Sequence, residues 1–455
     1  MKKIGFCAIG GSGMSALAQV LNYQKQDIYG TDRSFDQGKE QKTKQALTDI
    51  GIKIYPQDGS MLDKDFSVLY ASTAVEDSIP DIKRAKELQI PIKHRSDLLS
   101  EIFASYKYNI AIGGTSGKST ITAMIGYILD QDRKKPLVIN GALLKNYETQ
   151  PGIPNVILND GDFCVIEADE SDGSIQKYTP YISVVNNITL DHKPIEELQQ
   201  LFGDFIAKAK HGAVLNKDCP NSKLLLKLNP NTTTFSIKDP SADFYATNIT
   251  AIPNGTQYTF QNKNYTLKII GAFNVANALC AVACCSQLGI DPHDACRILQ
   301  SFLGTKRRLE ILGQTNNITV IDDFAHNPDK VAGSMSALKS YDGRLIIMFQ
   351  PHGFSPMRLM GKEIMDAFIS HMSSQDILLL PEIFFAGGTV KKDISSRDLV
   401  NYAKRHNVNA HFFNTREELK QYILKTAQAN DRIVLMGARD NTITEMGYNL
   451  LEELK

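Results

Sequence analysis

One stretch constrains this chain more than any other: Ile110-Ala-Ile-Gly-Gly-Thr-Ser-Gly-Lys-Ser-Thr120, followed by Ile-Thr-Ala-Met-Ile-Gly-Tyr-Ile-Leu129. An apolar strand, a glycine turn and a helical pattern in that order put a helix N-terminus at the end of a strand, as in α/β proteins with a parallel sheet. The backbone N–H groups of Gly114, Thr115, Ser116, Gly117 and Lys118 can surround phosphate oxygens. The helix opening near Ser119 and Thr120 turns its positive end toward them, Lys118 adds a point charge, and the Ser119 hydroxyl can hold Mg2+. The segment predicts an ATP or GTP site. It is one residue shorter than G-x-x-x-x-G-K-[ST], because Ile112 stands where the first glycine would fall.

Composition narrows the setting. A chain of 455 residues has material for two or three domains. Fifty lysines and arginines balance fifty aspartates and glutamates, so no global field points to nucleic acid or an anionic membrane, and an anionic ligand must be held locally. No apolar run reaches the ~18 residues of a membrane span, and glycines interrupt the N-terminal Met-Lys-Lys-Ile-Gly-Phe-Cys-Ala-Ile-Gly-Gly before it could form a signal-peptide core. Seven cysteines without C-x-x-C spacing suggest neither a disulfide framework nor a zinc site. The expectation is a reduced, cytoplasmic, soluble protein, monomeric or weakly dimeric.

Three α/β parts are expected: a Rossmann-like domain over 1–108, a central P-loop ATPase-like domain over 109–303, and a doubly wound Rossmann-like domain over 304–455. The first opens with strand Lys3–Ile9, the turn Gly10-Gly11-Ser12-Gly13-Met14-Ser15, a helix through Leu21, and a strand from Asp27 ending at Asp32. This is a nucleotide-binding βαβ start, with Asp32 placed to accept from a ribose hydroxyl. A turn that only lets helix and strand pack closely would read similarly. In the second part, strand Asp162–Ile166 empties into Glu167-Ala-Asp-Glu-Ser-Asp172, and strand Ser183–Val185 leads to Asp191-His192. Acids massed beside a phosphate loop repel one another unless a cation sits among them. Mg2+ on Ser119 and Glu167, with His192 as a further candidate, accounts for the cluster. Between Asn231 and Ile270 the pattern reads as a small antiparallel insertion. Asn274 and Asn277 then share a helical face and could match a purine edge or cap the helix. In the third part, strand Ile318–Ile321 ends in Asp322-Asp-Phe-Ala-His-Asn-Pro328.

Ala8–Ser15, GTSGKST from Gly114, EADESD from Glu167, NNITLDH from Asn186, FNVAN from Phe273, KRR from Lys306 and DDFAHNP from Asp322 follow the order and spacing of the Mur ligases. The resemblance spans nearly the whole chain. It lies nearest the members that join L-alanine to UDP-N-acetylmuramate, and next nearest those that attach a murein tripeptide to the same nucleotide sugar. It implies phosphorylation of a carboxylate by ATP with Mg2+ (Mn2+ as substitute), then attack by an amino group on the acyl phosphate. Lys118, His192, Arg308 and His326 would serve the reaction, and Asn274, Asn277, Arg308 and Asp322 or Asp323 would hold ATP. Gly10 to Ser15, Asp32, Ser72, Thr73, Arg95, His352 and Arg358 would hold the nucleotide sugar or acceptor.

Three spellings depart from the alanine-adding pattern. Ser119 replaces threonine in the loop and keeps the hydroxyl. His326-Asn-Pro328 stands for HHP, and Gln350-Pro-His-Gly-Phe-Ser-Pro-Met-Arg358 for QPHRYTRTR, so Gly353 and Pro356 replace two arginines. Arg358, the arginine retained, is therefore expected to carry more of the binding of an anionic group, and the identity of the acceptor is open.

Overall fold

Five parallel strands, β1 (Lys3–Cys7), β2 (Asp27–Thr31), β3 (Lys53–Tyr55), β4 (Phe66–Ala71) and β5 (Ile92–His94), form the first sheet in the order β3-β2-β1-β4-β5. This computed structural model describes residues 2–72, 76–171, 173–189, 193–385, 391–438, 440 and 442–455; the expected site residues Thr73 and His192 lie outside them. The central sheet contains β6 (Tyr108–Gly113), β7 (Leu137–Ile139), β8 (Val156–Ile157), β9 (Phe163–Glu167), β10 (Ile182–Val185), β11 (Gly212–Asn216) and β12 (Thr232–Ser236). These run β12-β11-β10-β6-β9-β7-β8, parallel throughout except for β7 with β8. Because β6 lies between β10 and β9, the segments after those two strands flank the phosphate loop. The continuous burial expected of a parallel strand covered on both faces is met, with Ile110, Ala111 and Ile112 fully buried.

One apolar cluster joins Phe6, Leu17 and Phe103 of the first sheet layer to Ala111, Ile166 and Phe202 of the central one. The two sheets thereby share a core, and they belong to one compact unit, Met1–Ala246 with Ala276–Thr305. A second unit comprises Thr247–Val275 and Lys306–Lys455. Strand β13 (Phe244–Ile252) carries the chain from the first unit into the second. There β14 (Gly255–Phe260) and β15 (Lys263–Leu267) pair as an antiparallel hairpin, closed by Gln261 and Asn262 at φ of 45° and 64°. Positive φ at both central residues is the type I′ turn that matches strand twist. The expected antiparallel insertion is thus real over Gly255–Leu267, but β12, which opens that stretch, pairs parallel with β11.

The C-terminal sheet holds β16 (Glu310–Thr315), β17 (Ile318–Asp323), β18 (Leu345–Phe349), β19 (Ile377–Pro381), β20 (Ala410–Phe413) and β21 (Arg432–Met436), in the order β16-β17-β21-β18-β19-β20. All pairs are parallel except β16 with β17. Successive residues feed opposite faces: Ile321, Ile347 and Val434 enter one apolar cluster, Val320, Ile346 and Leu435 another. Helices cover both faces, as doubly wound sheets require. No helix among the described residues is long and apolar enough to cross a membrane. All seven cysteines are buried and free.

Candidate active site

The phosphate loop leaves β6 at Gly113 and enters the helix Lys118–Gln131, with Gly114 at φ 122° and Gly117 at φ 89°. A Cβ on Gly117 would stand 2.5 Å from Asn186 Nδ2 and 2.8 Å from Asn277 Oδ1, so backbone angle and crowding both demand glycine there. The loop is clamped by the segment after β10. Thr115 N–H donates to Asn187 O at 3.0 Å and Ser116 N–H to Asn187 Oδ1 at 2.8 Å, while Asn186 Nδ2 and Asn187 Nδ2 donate to Ser116 O at 2.9 and 3.1 Å. The expectation that every N–H from Gly114 to Lys118 faces a ligand is corrected: those of Thr115 and Ser116 are spent on holding the loop's shape. Thr120 is buried in the helix.

Lys118 Nζ donates to Gly114 O at 2.7 Å and to both oxygens of Glu170, at 3.1 and 2.8 Å. Its charge thus meets a nearly buried carboxylate 52 residues away, a partner that the acidic run alone did not single out. Ser119 Oγ donates to Glu167 Oε2 at 3.1 Å, and Glu167 Oε1 accepts Gly141 N–H at 2.5 Å. Hydroxyl and carboxylate therefore converge as expected for a pair that could hold a hard divalent cation. Asn277 accepts from Asn186 Nδ2 at 3.3 Å beside the loop. Asn274 does something different: its Nδ2 donates to Ile270 O at 2.8 Å, closing the start of its own helix. The expected adenine-side pair is in this respect a capping residue and a loop neighbour. Lys208, in the C-terminal turn of the helix Ile195–Ala207, donates from Nζ to Gln176 O at 3.0 Å.

In the first sheet, Gly10 N–H donates to Asp32 Oδ2 at 2.9 Å and Ser34 N–H to Asp32 Oδ1 at 2.8 Å, so Asp32 fastens the glycine turn and caps the short helix Arg33–Asp36. Arg95 lies against the turn, where a Cβ on Gly13 would meet its Cδ at 2.9 Å. Gly11 and Ser12 open the helix Ser12–Tyr23, and Ser72 follows β4. Met14 and Ser15 do not match their expected contact role through side chains. Met14 packs in the shared core, and Ser15 Oγ donates to Ser12 O at 3.1 Å, because both fall on the inward face of the helix.

In the second unit, β17 runs two residues farther than expected, to Asp323, which makes Asp322 and Asp323 strand residues. They are 0% and 4% exposed. Asp322 accepts from Thr444 Oγ1 and faces Arg307, while Asp323 accepts Ser334 Oγ at 2.6 Å and Leu309 N–H at 3.2 Å; burial raises both pKa values. This corrects the expected ribose contact: both carboxylates are engaged within the fold. Arg308 places its guanidinium 4.9 Å above the Phe324 ring, and Arg307 5.1 Å from it. His326 Nδ1 lies 2.8 Å from Phe324 O, and its ring is 5.4 Å from that of His352. Arg308, His326 and His352 thus gather around Phe324 and the end of β18.

Burial, reinforced by the Lys330 charge, lowers the His326 pKa to about 3, so the imidazole is neutral at physiological pH. With Nδ1–H donating to Phe324 O, an assignment made from that contact, Nε2 keeps a lone pair. A pKa below the unfolded value of about 6.5 means that this group's contribution to stability is complete above pH 6.5 and lost as pH falls toward 3. His326→Gln should therefore lose less stability than wild type between those limits in chemical denaturation; an identical slope would show that folding does not lower the His326 pKa.

The departures have local reasons. Asn327 Oδ1 accepts Lys330 N–H at 2.9 Å and caps the helix Pro328–Leu338, a position asparagine suits. Gly353 has φ 71°, and a Cβ there would meet the Pro356 ring at 3.1 Å; Pro356 sits in the first turn of the helix Phe354–Ile369, where no intrahelical N–H bond is lost. Arg358 binds Asp393 Oδ1 through Nε at 3.0 Å and Lys391 O through Nη2 at 2.9 Å, with 45% of its side chain exposed. The structure puts it in a surface ion pair, since Asp393 supplies the counter-charge. Such pairs are worth about 0–1 kcal/mol, so Arg358→Ala should leave every Michaelis constant within about twofold. A tenfold rise for nucleotide sugar or acceptor would restore its expected pocket role. A guanidinium that the sequence did not flag, Arg416, instead bonds Gln350 Oε1 at 2.9 and 2.7 Å and pairs with Asp440, tying the ends of β18 and β21.

Fold and site together define an α/β ligase built on a phosphate loop. Residues 3–107 match the family described as Mur ligase family, catalytic domain, residues 112–285 the Mur ligase middle domain, and residues 307–439 the Mur ligase, glutamate ligase domain. The chain is 33% identical to the UDP-N-acetylmuramate--L-alanine ligase of Sulfurihydrogenibium sp. over all of its own length and 98% of that protein, and 32% identical to the one from Geobacter sulfurreducens over the same shares. Among solved structures, a UDP-N-acetylmuramate-alanine ligase from Thermotoga maritima superposes with a TM-score of 0.82 at 24% identity, covering 99% of each chain. A murein peptide ligase from Psychrobacter arcticus follows with a TM-score of 0.68 at 20% identity, covering 100% of this chain and 99% of that one. The chain belongs to the Mur ligase family, the ATP-dependent amide ligases of peptidoglycan synthesis.

Proposed function

We propose that this protein joins L-alanine to the carboxylate of UDP-N-acetylmuramate at the expense of ATP, in the cytoplasm, through an acyl phosphate. The observation that carries the reading is the convergence of Lys118, Ser119 and Glu167 at the start of one helix, in a chain alike over its full length to ligases of that name. Lys118 exchanges Glu170 for phosphate oxygens and neutralises charge on the transferring group. Ser119 and Glu167, with His192 as the third expected donor, would hold Mg2+, which supplies charge neutralisation at the phosphates when bound. Arg308, steadied on Phe324, is the arginine to which the family resemblance assigns the ATP phosphates. Neutral His326, with a lone pair on Nε2, is the histidine that the family resemblance assigns to the reacting amine, where it can accept a hydrogen bond and orient the nitrogen. The Asp32-fastened turn and Arg95 bind the pyrophosphate of the nucleotide sugar.

Phosphate release from ATP in the presence of UDP-N-acetylmuramate, screened against single amino acids and the tripeptide L-alanyl-γ-D-glutamyl-diaminopimelate, tests this. L-Alanine should give the highest kcat/KM. Preference for the tripeptide would reassign the acceptor within the same mechanism, and no release with any acceptor would refute the reading.

A further inference from the structure

A chain of buried amides leads from the phosphate loop's helix to the glycine turn of the first sheet. Asn140, just after β7, donates from Nδ2 to Ser119 O at 3.1 Å, and its backbone N–H donates to Asn155 O at 2.9 Å. Asn155, just before β8, donates from Nδ2 to Ser12 O at 2.9 Å and lies 3.4 Å from Ser15 Oγ. Gln19, on the helix Ser12–Tyr23, donates from Nε2 to Asn155 Oδ1 at 3.0 Å and accepts Ile153 N–H on Oε1 at 2.8 Å. The residue after Asn140, Gly141, gives its N–H to Glu167. The path therefore begins at Ser119 and Glu167, two of the expected metal-holding residues, and ends in the turn expected to bind pyrophosphate.

Gln19, Asn140 and Asn155 are 1%, 2% and 0% exposed, among Leu17, Val20, Ile139 and Val156. Leucine or methionine at position 19 would fill such a helix face without a desolvation penalty. An amide there is stabilising only if its bonds are made, and each bond fixes direction and register as well as contact. Displacing the glycine turn would break bonds to Asn155, and displacing Asn155 would disturb Asn140, Ser119 and Glu167. Tight packing around these groups leaves few intermediate positions.

We propose that Gln19, Asn155 and Asn140 are positioning residues that couple the two nucleotide sites, so that filling one raises affinity at the other. The proposal rests on the reading of those sites given above. Coupling of this kind is reciprocal and typically about 5-fold or more, and spatial continuity alone does not establish it.

Isothermal titration of AMP-PNP with Mg2+ and of UDP-N-acetylmuramate, each alone and with the other at saturation, measures the coupling directly. Wild type should show a factor of at least about five, equal in both orders of addition. Asn155→Ala and Gln19→Met should bring it below about twofold, with each ligand still binding alone. Gln19→Met keeps volume and decides the matter should Asn155→Ala fail to fold. Coupling that is absent in wild type, or unchanged in a folded variant, overturns the relay while leaving both sites standing. Failure of wild type to bind either ligand alone overturns the site reading, and the relay with it.

Discussion

Lys118→Ala is expected to lose ATP turnover by a few hundredfold or more, since an oriented charge at a transferring group is worth about 3–4 kcal/mol in the transition state. The structure adds a second consequence. Lys118 and Glu170 pair at 2.8 Å with side chains 16% and 6% exposed, so removing the lysine strands a carboxylate away from water. Breaking a buried pair from one side costs about 3–5 kcal/mol, while replacing both partners is often neutral. Lys118→Ala should therefore also melt earlier, and Lys118→Met with Glu170→Gln should recover the melting temperature without recovering turnover. Separating the two readouts makes the test sharp. Turnover within about tenfold of wild type would remove Lys118 from the chemistry, and an unchanged melting temperature in Lys118→Ala would remove Glu170 as its structural counterweight.

Gly117→Ala is expected to weaken AMP-PNP binding by about a hundredfold. Its φ of 89° is strained for alanine, by about 1–3 kcal/mol. The added methyl would also press on Asn186 and Asn277, the amides that shape the loop. Gly289→Ala is the control: φ is 83°, but nothing lies within 4 Å of the added carbon. It should cost about 1 kcal/mol of stability with no change in nucleotide affinity. Equal effects of the two substitutions on affinity would mean that general destabilisation, rather than the shape of the loop, governs binding.

The phosphate loop was readable because its folding and its chemistry need the same residues in the same order. Glycine, lysine and hydroxyl at the junction of strand and helix have few other uses. The acidic run after β9 was readable as a cluster but not by member. Whether Glu167 or Glu170 meets the lysine depends on the direction each takes beyond the strand end, which no linear spacing encodes. Asp322 and Asp323 misled for a related reason: a strand expected to stop at Ile321 continues through both, and strand residues here are buried on either face. Arg358 has its counter-ion 35 residues downstream, and the amides of Gln19 and Asn155 meet across 136 positions. Asn186 and Asn187 look like ordinary polar residues after a strand until the loop they clamp is in view. Gly353 and Asn327, by contrast, looked like lost function and are accounted for by a left-handed backbone and a helix cap.

The grouping of Thr247–Val275 with Lys306–Lys455 bears on how the chain is made. Tyr341 Oη donates to Gly255 O at 2.6 Å, and Ile270 packs in a cluster with Leu309, Ile321 and Leu345. During synthesis from the N-terminus, the hairpin β14–β15 leaves the ribosome long before these partners exist. The first unit has all of its residues once Thr305 has emerged, but the hairpin has to wait through further translation with Ile270 uncovered. At roughly 5–20 residues per second the interval lasts several seconds. That window, rather than the finished enzyme, is when a nascent chain of this design is most exposed to misassociation. A chaperone that shields short apolar hairpins would act there.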